Sequence, residues 1–378
     1  MPTTNTTTST TTPEPKNAAA WLTAPKTRPF RVAEAPMPVA GPDEVVVRTR
    51  AVALNPVDWY IQAMGIIVPA EGYPAVIGCD LAGDVISVGA NATATFAPGD
   101  RVCGLAGTRG AGANHKSGAF QLYTKVDRAV LAKIPVSVSY AQAAVLPLGL
   151  STAATAMFQK EAMALPLPVI GSTATTAVDA AGKKKVLLVW GGRTSVGSCA
   201  IQLAVAAGFD VATTASARNH AYCRSLGAAW AFDYRNPAIE DDIVAALKGR
   251  ECVGVLDAWS RGSVAQCARV LLKLDENGSV GGGRKWVQTV MPSADMVDEE
   301  VPKGVEVGYA YGSTLANNEV GPATWGKWVP EALATGALQC KPDPEVVAQG
   351  LDGIQTACDT GAKDWGASSS PKLVVEIV

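Results

Sequence analysis

Histidine is nearly absent from this 378-residue chain. There are two, His115 and His220, too few for a histidine-rich metal centre. Paired cysteine spacing is absent as well. The eight cysteines, at 79, 103, 199, 223, 252, 267, 340 and 358, include no pair with a two-residue gap. That excludes a redox CxxC and a zinc knuckle, and a reduced, cytoplasmic setting is expected. Charge of one sign is also missing. The 32 basic and 34 acidic side chains leave a net of −2, without the basic footprint of a nucleic-acid binder. No run approaches the ~18 apolar residues of a membrane span. The first residues lack the charged-then-apolar order of a secretory signal. Neither nucleic acid nor membrane is an expected partner.

A globular core, by contrast, is well provided for: 48% of residues are hydrophobic and 17% charged. The length suggests two to three domains. Residues 1–18 carry eight threonines and read as a disordered tail. From about 20 to 155 the signals are strands and turns: Val45-Val46-Val47, the run Ala82 to Gly89, and the turn Pro98-Gly99-Asp100 before Arg101-Val102. A compact, barrel-like β domain follows from them. The stretch 166–185, with its prolines and Lys183–Lys185, reads as an exposed linker or insertion.

After residue 185 strands and helices alternate. Strands are expected at 186–190, 211–214, 230–233, 254–257 and 286–290. Helices are expected at 198–207, 221–226, 239–248 and 264–272. This rhythm implies a doubly wound parallel sheet with helices on both faces. Further helices are expected at 325–334 and 344–358, a final strand at 372–378, and an edge strand at 305–309.

The informative segment is Val189-Trp190-Gly191-Gly192-Arg193-Thr194-Ser195-Val196-Gly197, which leaves a strand and opens a helix. Such a turn lets backbone amides approach a pyrophosphate at a helix amino terminus. Thr194 stands where the usual fingerprint has its middle glycine. Gly191, Gly192, Thr194, Ser195 and Val196 are the candidate cofactor contacts. At the end of the second strand no carboxylate is present to bind ribose hydroxyls. Ser216 and Arg218 offer a hydroxyl and a guanidinium suited to a 2′-phosphate, Tyr234 a phenol or a stacking face, and Asn219 is a further cofactor candidate. NADPH is therefore expected over NADH. Thr289 is a further cofactor candidate.

The pieces Ala53-Leu54-Asn55-Pro56-Val57-Asp58, Gly78-Cys79-Asp80-Leu81-Ala82-Gly83, Gly99-Asp100-Arg101-Val102 and Leu146 to Ala153, followed by the 189–197 turn, resemble the medium-chain dehydrogenase/reductase superfamily. The likeness runs from about residue 25 to the end. It implies an α/β protein: a GroES-like β-rich catalytic domain plus a Rossmann sheet. The implied division is a tail at 1–19, a catalytic domain at 20–155, a cofactor-binding domain at 156–315 and a return to the catalytic domain at 316–378. Ser216 to Asn219, Phe232-Asp233-Tyr234 and the insertion near 165–170 look most like fungal trans-acting enoyl reductases of polyketide biosynthesis.

Zinc-dependent members carry a cysteine in the first of these pieces and a Gly-His-Glu in the second. Here the two read Asn55-Pro56-Val57-Asp58 and Gly78-Cys79-Asp80, and no metal is expected. The resemblance implies NADPH-dependent reduction of an activated C=C bond in an α,β-unsaturated thioester or ketone. The substrate would be a small molecule or carrier-bound acyl group, and a polyketide synthase the partner. It places Asn55, Asp58, Tyr60 and Thr152 at the nicotinamide, Tyr60 as a candidate acid and Thr152 as a candidate hydroxyl contact. Ser369 would close the cofactor site, and His115 would flank the substrate mouth. A quinone or alkenal reductase, a redox-neutral tailoring enzyme and a non-catalytic NADPH-binding protein remain alternatives. Monomer and homodimer both stay open.

Overall fold

Glycines and prolines separate strands of two to ten residues in the first part of the chain. The computed structural model describes residues 15–107, 116–171, 177–281, 284–291, 300–363 and 371–378. Its first part contains β1 (Asn17–Leu22), β2 (Arg31–Ala35), β3 (Glu44–Ala53), β4 (Ala75–Val76), β5 (Asp80–Val88), β6 (Arg101–Leu105), β7 (Tyr123–Asp127) and β8 (Leu131–Lys133). Helices α1 (Pro56–Met64), α2 (Tyr140–Ala144) and α3 (Pro147–Phe158) accompany them.

Asn17, within the stretch read as a tail, belongs to β1. Its amide donates to the Pro36 carbonyl at 2.9 Å and to Gln121 Oε1 at 3.0 Å, and its Oδ1 accepts from the Tyr123 N–H. Those bonds tie residues 17–19 into the β-rich lobe.

The chain then alternates as β9 (Lys185–Trp190), α4 (Ser195–Ala206), β10 (Asp210–Thr214), α5 (His220–Ser225), β11 (Trp230–Phe232), α6 (Ile239–Ala246), β12 (Glu251–Asp257), α7 (Val264–Glu276), β13 (Trp286–Thr289) and β14 (Glu306–Tyr309). All six strands are parallel, in the order β11-β10-β9-β12-β13-β14, with β14 at an edge. That order reverses beside β9, so the crevice at its carboxyl end is the natural ligand site of a doubly wound sheet. Val186 and Leu188 face one apolar cluster with α6 and α7, while Leu187 and Val189 face another with α4.

The final segment holds α8 (Val329–Thr335), β15 (Pro344–Gln349), α9 (Gly353–Lys363) and β16 (Lys372–Glu376). It returns to the first lobe, where a seven-stranded mixed sheet runs β15-β16-β3-β5-β6-β8, with β7 also on β3. The single helix expected at 344–358 is a strand and a helix instead. Residues 344–349 pair in parallel with β16, and Gly350, at φ +70°, breaks the chain before α9. The helix expected at 325–334 is wound wide at Pro322–Trp328 before it tightens into α8.

Among the described residues, one helical run, Tyr140–Phe158, is long and apolar enough to cross a membrane, and 89% of its apolar window is buried within the protein. It is a core helix pair: α3 packs against α4 so closely that a Cβ on Gly149 would lie 3.0 Å from the Ser195 carbonyl.

Candidate active site

The glycine-rich turn closes β9 onto α4. Gly191 has φ +83°, a conformation that favours glycine. Thr194, the departure from the three-glycine fingerprint, is the amino-terminal cap of α4. Its Oγ1 accepts from the Gly197 N–H at 3.0 Å and donates to the Gly191 carbonyl at 2.9 Å. A Cβ on Gly197 would come within 2.2 Å of that carbonyl, so helix and strand meet backbone to backbone. The amino end of a 12-residue helix is thereby presented at the sheet's switch point, with Ser195 and Val196 in its first turn. The residues fit a dinucleotide pyrophosphate.

At the end of β10, Ser216 is buried and its hydroxyl accepts from Asn219 Nδ2 at 2.8 Å. Arg218 and Tyr234 are exposed beside it. A nearby carboxylate, Asp233, directly follows β11. It accepts from the Ala217 N–H at 3.2 Å and from the Arg235 guanidinium at 2.7 Å, and Arg235 holds this carboxyl well below the usual carboxylate range. Asp233 therefore fixes the 216–219 loop.

Sequence reasoning missed a turn at the end of β12. Asp257 is fully buried and accepts from the Trp259 N–H (3.0 Å), the Ser260 N–H (2.9 Å) and Ser263 Oγ (2.6 Å). Ser260, at φ +54°, donates its hydroxyl to the Asp257 carbonyl and accepts from the Val290 N–H at 3.0 Å. The turn sets the Trp259 side chain 3.4 Å from where a Gly191 Cβ would stand. It also sends Arg261 across to the β-rich lobe, where Nη2 donates to the Tyr60 hydroxyl at 2.7 Å. Thr289 is buried in β13, its hydroxyl directed at the Met291 and Gly308 carbonyls. Thr152 is nearly buried on α3, facing the backbone at Gly312. Ser369 and His115 lie outside the described residues.

Asn55 and Asp58 belong to a buried polar cluster. The Asn55 N–H donates to Asp58 Oδ2 at 2.8 Å, and Asn55 Nδ2 donates to Asp80 Oδ2 at 2.9 Å. The Lys372 ammonium, from β16, donates to Asn55 Oδ1 and lies 3.2 Å from Asp80 Oδ2. The Leu148 N–H, at the head of α3, donates to Asp80 Oδ1 at 2.6 Å. Asp58, Asp80 and Lys372 are all buried. The cluster joins the two segments, 53–58 and 78–83, in which the sequence departs from zinc-dependent members. Among the described residues no three His, Cys, Asp or Glu side chains gather there or elsewhere. Beside Cys79, Asp80 is neutralised by an internal ammonium, so the residues present do not fit a zinc ion.

Burial pushes the Asp58 carboxyl up to about 7, with the Asp80 charge adding to the effect and the Asn55 N–H opposing it. Its Oδ1 is buried without a hydrogen-bond partner. Because the folded-state value lies above that of the unfolded chain, Asp58 is protonated when folded over a range where it is ionised when unfolded. Its contribution to stability is full below about pH 4, falls as pH rises to about 7, and is constant above that. Urea unfolding between pH 4 and 8 should show a decline of roughly 2–4 kcal/mol from this group. Asp58→Asn should remove that part of the slope. An unchanged slope in the variant would assign the titration elsewhere.

A β-rich lobe joined to a parallel sheet with a glycine-rich turn at its switch point defines a nicotinamide-dependent oxidoreductase. Residues 41–136 match the alcohol dehydrogenase GroES-like domain. The chain is 37% identical to dehydrogenase pigH of Monascus ruber, over 96% of this chain and 100% of that protein. It is 36% identical to trans-enoyl reductase himH of Aspergillus japonicus, over 96% of this chain and 97% of that one. Among solved structures, an alcohol dehydrogenase superfamily protein from Novosphingobium aromaticivorans superposes with a TM-score of 0.71 at 25% identity, covering 96% of this chain and all of that one. The chain belongs to the medium-chain dehydrogenase/reductase superfamily, alongside fungal dehydrogenases and trans-enoyl reductases.

Proposed function

We propose that the protein reduces an activated carbon–carbon double bond with NADPH, without zinc, on an α,β-unsaturated thioester or ketone in fungal secondary metabolism. A carrier-bound acyl chain of a polyketide synthase is the preferred substrate. The observation that carries this reading is the pairing of a glycine-rich turn at the head of α4 with a buried cluster in which Lys372 is the counterion of Asp80. Polarisation of the substrate then falls to hydrogen-bond donors, which suits conjugate reduction. The relative named as a trans-enoyl reductase supports the same reading.

In this reading residues 156–315 hold the cofactor and 20–155 with 316–378 hold the substrate. Gly191, Gly192, Thr194, Ser195 and Val196 receive the pyrophosphate. Ser216, Arg218 and Asn219 receive the 2′-phosphate, and Tyr234 lies along the adenine. Bound there, the nicotinamide supplies the hydride. Asn55 and Thr152 shape its pocket; Thr289 and Ser369 border the same cleft. Asp58 lies behind the site as a support for the start of α1, and Tyr60 faces the substrate as donor.

The test is NADPH oxidation against crotonyl and longer α-methyl enoyl thioesters, free and carrier-bound, with NADH as control. Turnover with NADPH, faster on the carrier-bound form, is expected. Turnover only with quinones would overturn the enoyl reading. In the same assay Arg218→Ala should raise the KM for NADPH about tenfold or more, the scale of one lost charge-assisted bond. The KM for NADH should stay unchanged. An equal change for both cofactors would remove Arg218 from the 2′-phosphate.

A further inference from the structure

We propose that Arg261 is a positioning residue for the reduction, holding the Tyr60 phenol across the cleft as the donor to the substrate's α-carbon. The inference rests on the reductase reading above and adds to it a residue from the opposite lobe. The bond from Arg261 Nη2 to the Tyr60 oxygen measures 2.7 Å and joins residues 201 apart in sequence. Both side chains leave backbone that is tied by hydrogen bonds. Arg261 leaves the Asp257–Ser260 turn, which is fastened by bonds to Asp257, Ser260 and Val290. Tyr60 sits on α1, whose first turn is fixed by Pro56 and by the Asn55–Asp58 bond. An exposed arginine on a loose loop would contribute little. One on a fastened turn arrives already oriented, which is what a donor array for a transition state needs.

The chemistry uses the permanent charge of the guanidinium, which donates and never accepts. Hydride reaches the β-carbon, and the double-bond electrons move to the carbonyl oxygen as an enolate. The enolate then reforms the carbonyl. Its electron pair takes the Tyr60 proton at the α-carbon, forming a C–H bond as the phenol O–H breaks. The negative charge left on the phenol oxygen falls 2.7 Å from Arg261 Nη2, and water at the cleft mouth returns the proton. Arg261 therefore acts through Tyr60 and touches no reacting atom.

The experiment compares wild type, Tyr60→Phe, Arg261→Met, Arg261→Lys and the Tyr60→Phe/Arg261→Met double variant. The probes are NADPH and crotonyl thioester, with kcat, KM and NADPH Kd read separately. Tyr60→Phe should lower kcat about 100-fold, the low end for loss of a general acid. Arg261→Met should lower it about tenfold, with KM and NADPH Kd within about threefold of wild type. Arg261→Lys should recover part of the loss. The double variant should be no slower than Tyr60→Phe alone, because Arg261 has nothing left to position. Wild-type kcat in Arg261→Met, a loss confined to KM or Kd, or losses that multiply in the double variant would each overturn the inference. A wild type that consumes no NADPH with any enoyl thioester overturns the reductase reading instead, and the inference with it.

Discussion

Lys372→Met is expected to destabilise the fold by about 3–5 kcal/mol, the cost of leaving one member of a buried ion pair without its partner. Methionine fills a similar volume, so the loss is electrostatic in origin. Asp80 would keep the Leu148 N–H and the Asn55 amide but lose the ammonium 3.2 Å from its Oδ2, in a position with no solvent exposure. Asn55 Oδ1 would lose its donor as well. The control is the double variant Lys372→Met/Asp80→Asn, which removes the stranded charge. It should be more stable than Lys372→Met alone, since replacing both members of a buried pair costs less than breaking it. Urea denaturation at pH 7 reads both values. A single variant as stable as wild type, or a double variant weaker than the single, would show that Lys372 is not the counterion of Asp80.

Gly197→Ala should abolish useful cofactor binding, with the Kd for NADPH raised at least ~100-fold, or about 3 kcal/mol. The added Cβ would stand 2.2 Å from the Gly191 carbonyl and 2.8 Å from Gly192 Cα. Neither is a side chain that can turn away, so the turn or the helix must shift. Either movement takes the amino end of α4 off the position that would meet the pyrophosphate. Thr194→Ala sets the scale for a milder lesion. It deletes the cap while leaving the packing intact, and should cost about 1 kcal/mol of stability. Calorimetric titration with NADPH, beside thermal melts, separates the two effects. Wild-type affinity in Gly197→Ala would mean the cofactor does not use this turn.

The alternation of β9 to β14 with their helices was legible because apolar segments such as Val186 to Trp190 alternate with helical spacing and turn residues. The glycine turn was legible for the same reason, although the role of Thr194 was not. A threonine in place of a glycine reads as damage to a fingerprint until its hydroxyl is seen capping α4. Helix α1 was not expected, although Asn55-Pro56 with Asp58 three residues on is the order of a capped helix start. Residues 344–358 misled because Val346 and Val347 suit a helix face and a strand equally over so short a run. Only pairing with β16 decides between the two.

The cluster around Asp80 was only partly readable. Asn55 and Asp58 stood out, but Lys372 sits in a strand buried on both faces, where alternation cannot say which way a side chain points. A lysine there reads as solvated by default. Asp257 and Arg261 were missed for a related reason. A charge beside serine and glycine after a strand looks like an ordinary solvated turn, and only the third dimension brings Tyr60 to it.

The bond from Lys372 to Asn55 spans 317 residues of sequence. A chain is made from its amino end at roughly 5–20 residues per second, so the ammonium follows the Asn55 amide by about 15–60 seconds of synthesis. Throughout that interval the corner around Asp80 lacks its counterion, and the edge of β3 that β16 will cover stays open. The parallel sheet from Lys185 to Tyr309 has no such wait, because its strands are contiguous in sequence. On the ribosome the strands of the later-made sheet are therefore all present before β16 can complete the earlier lobe.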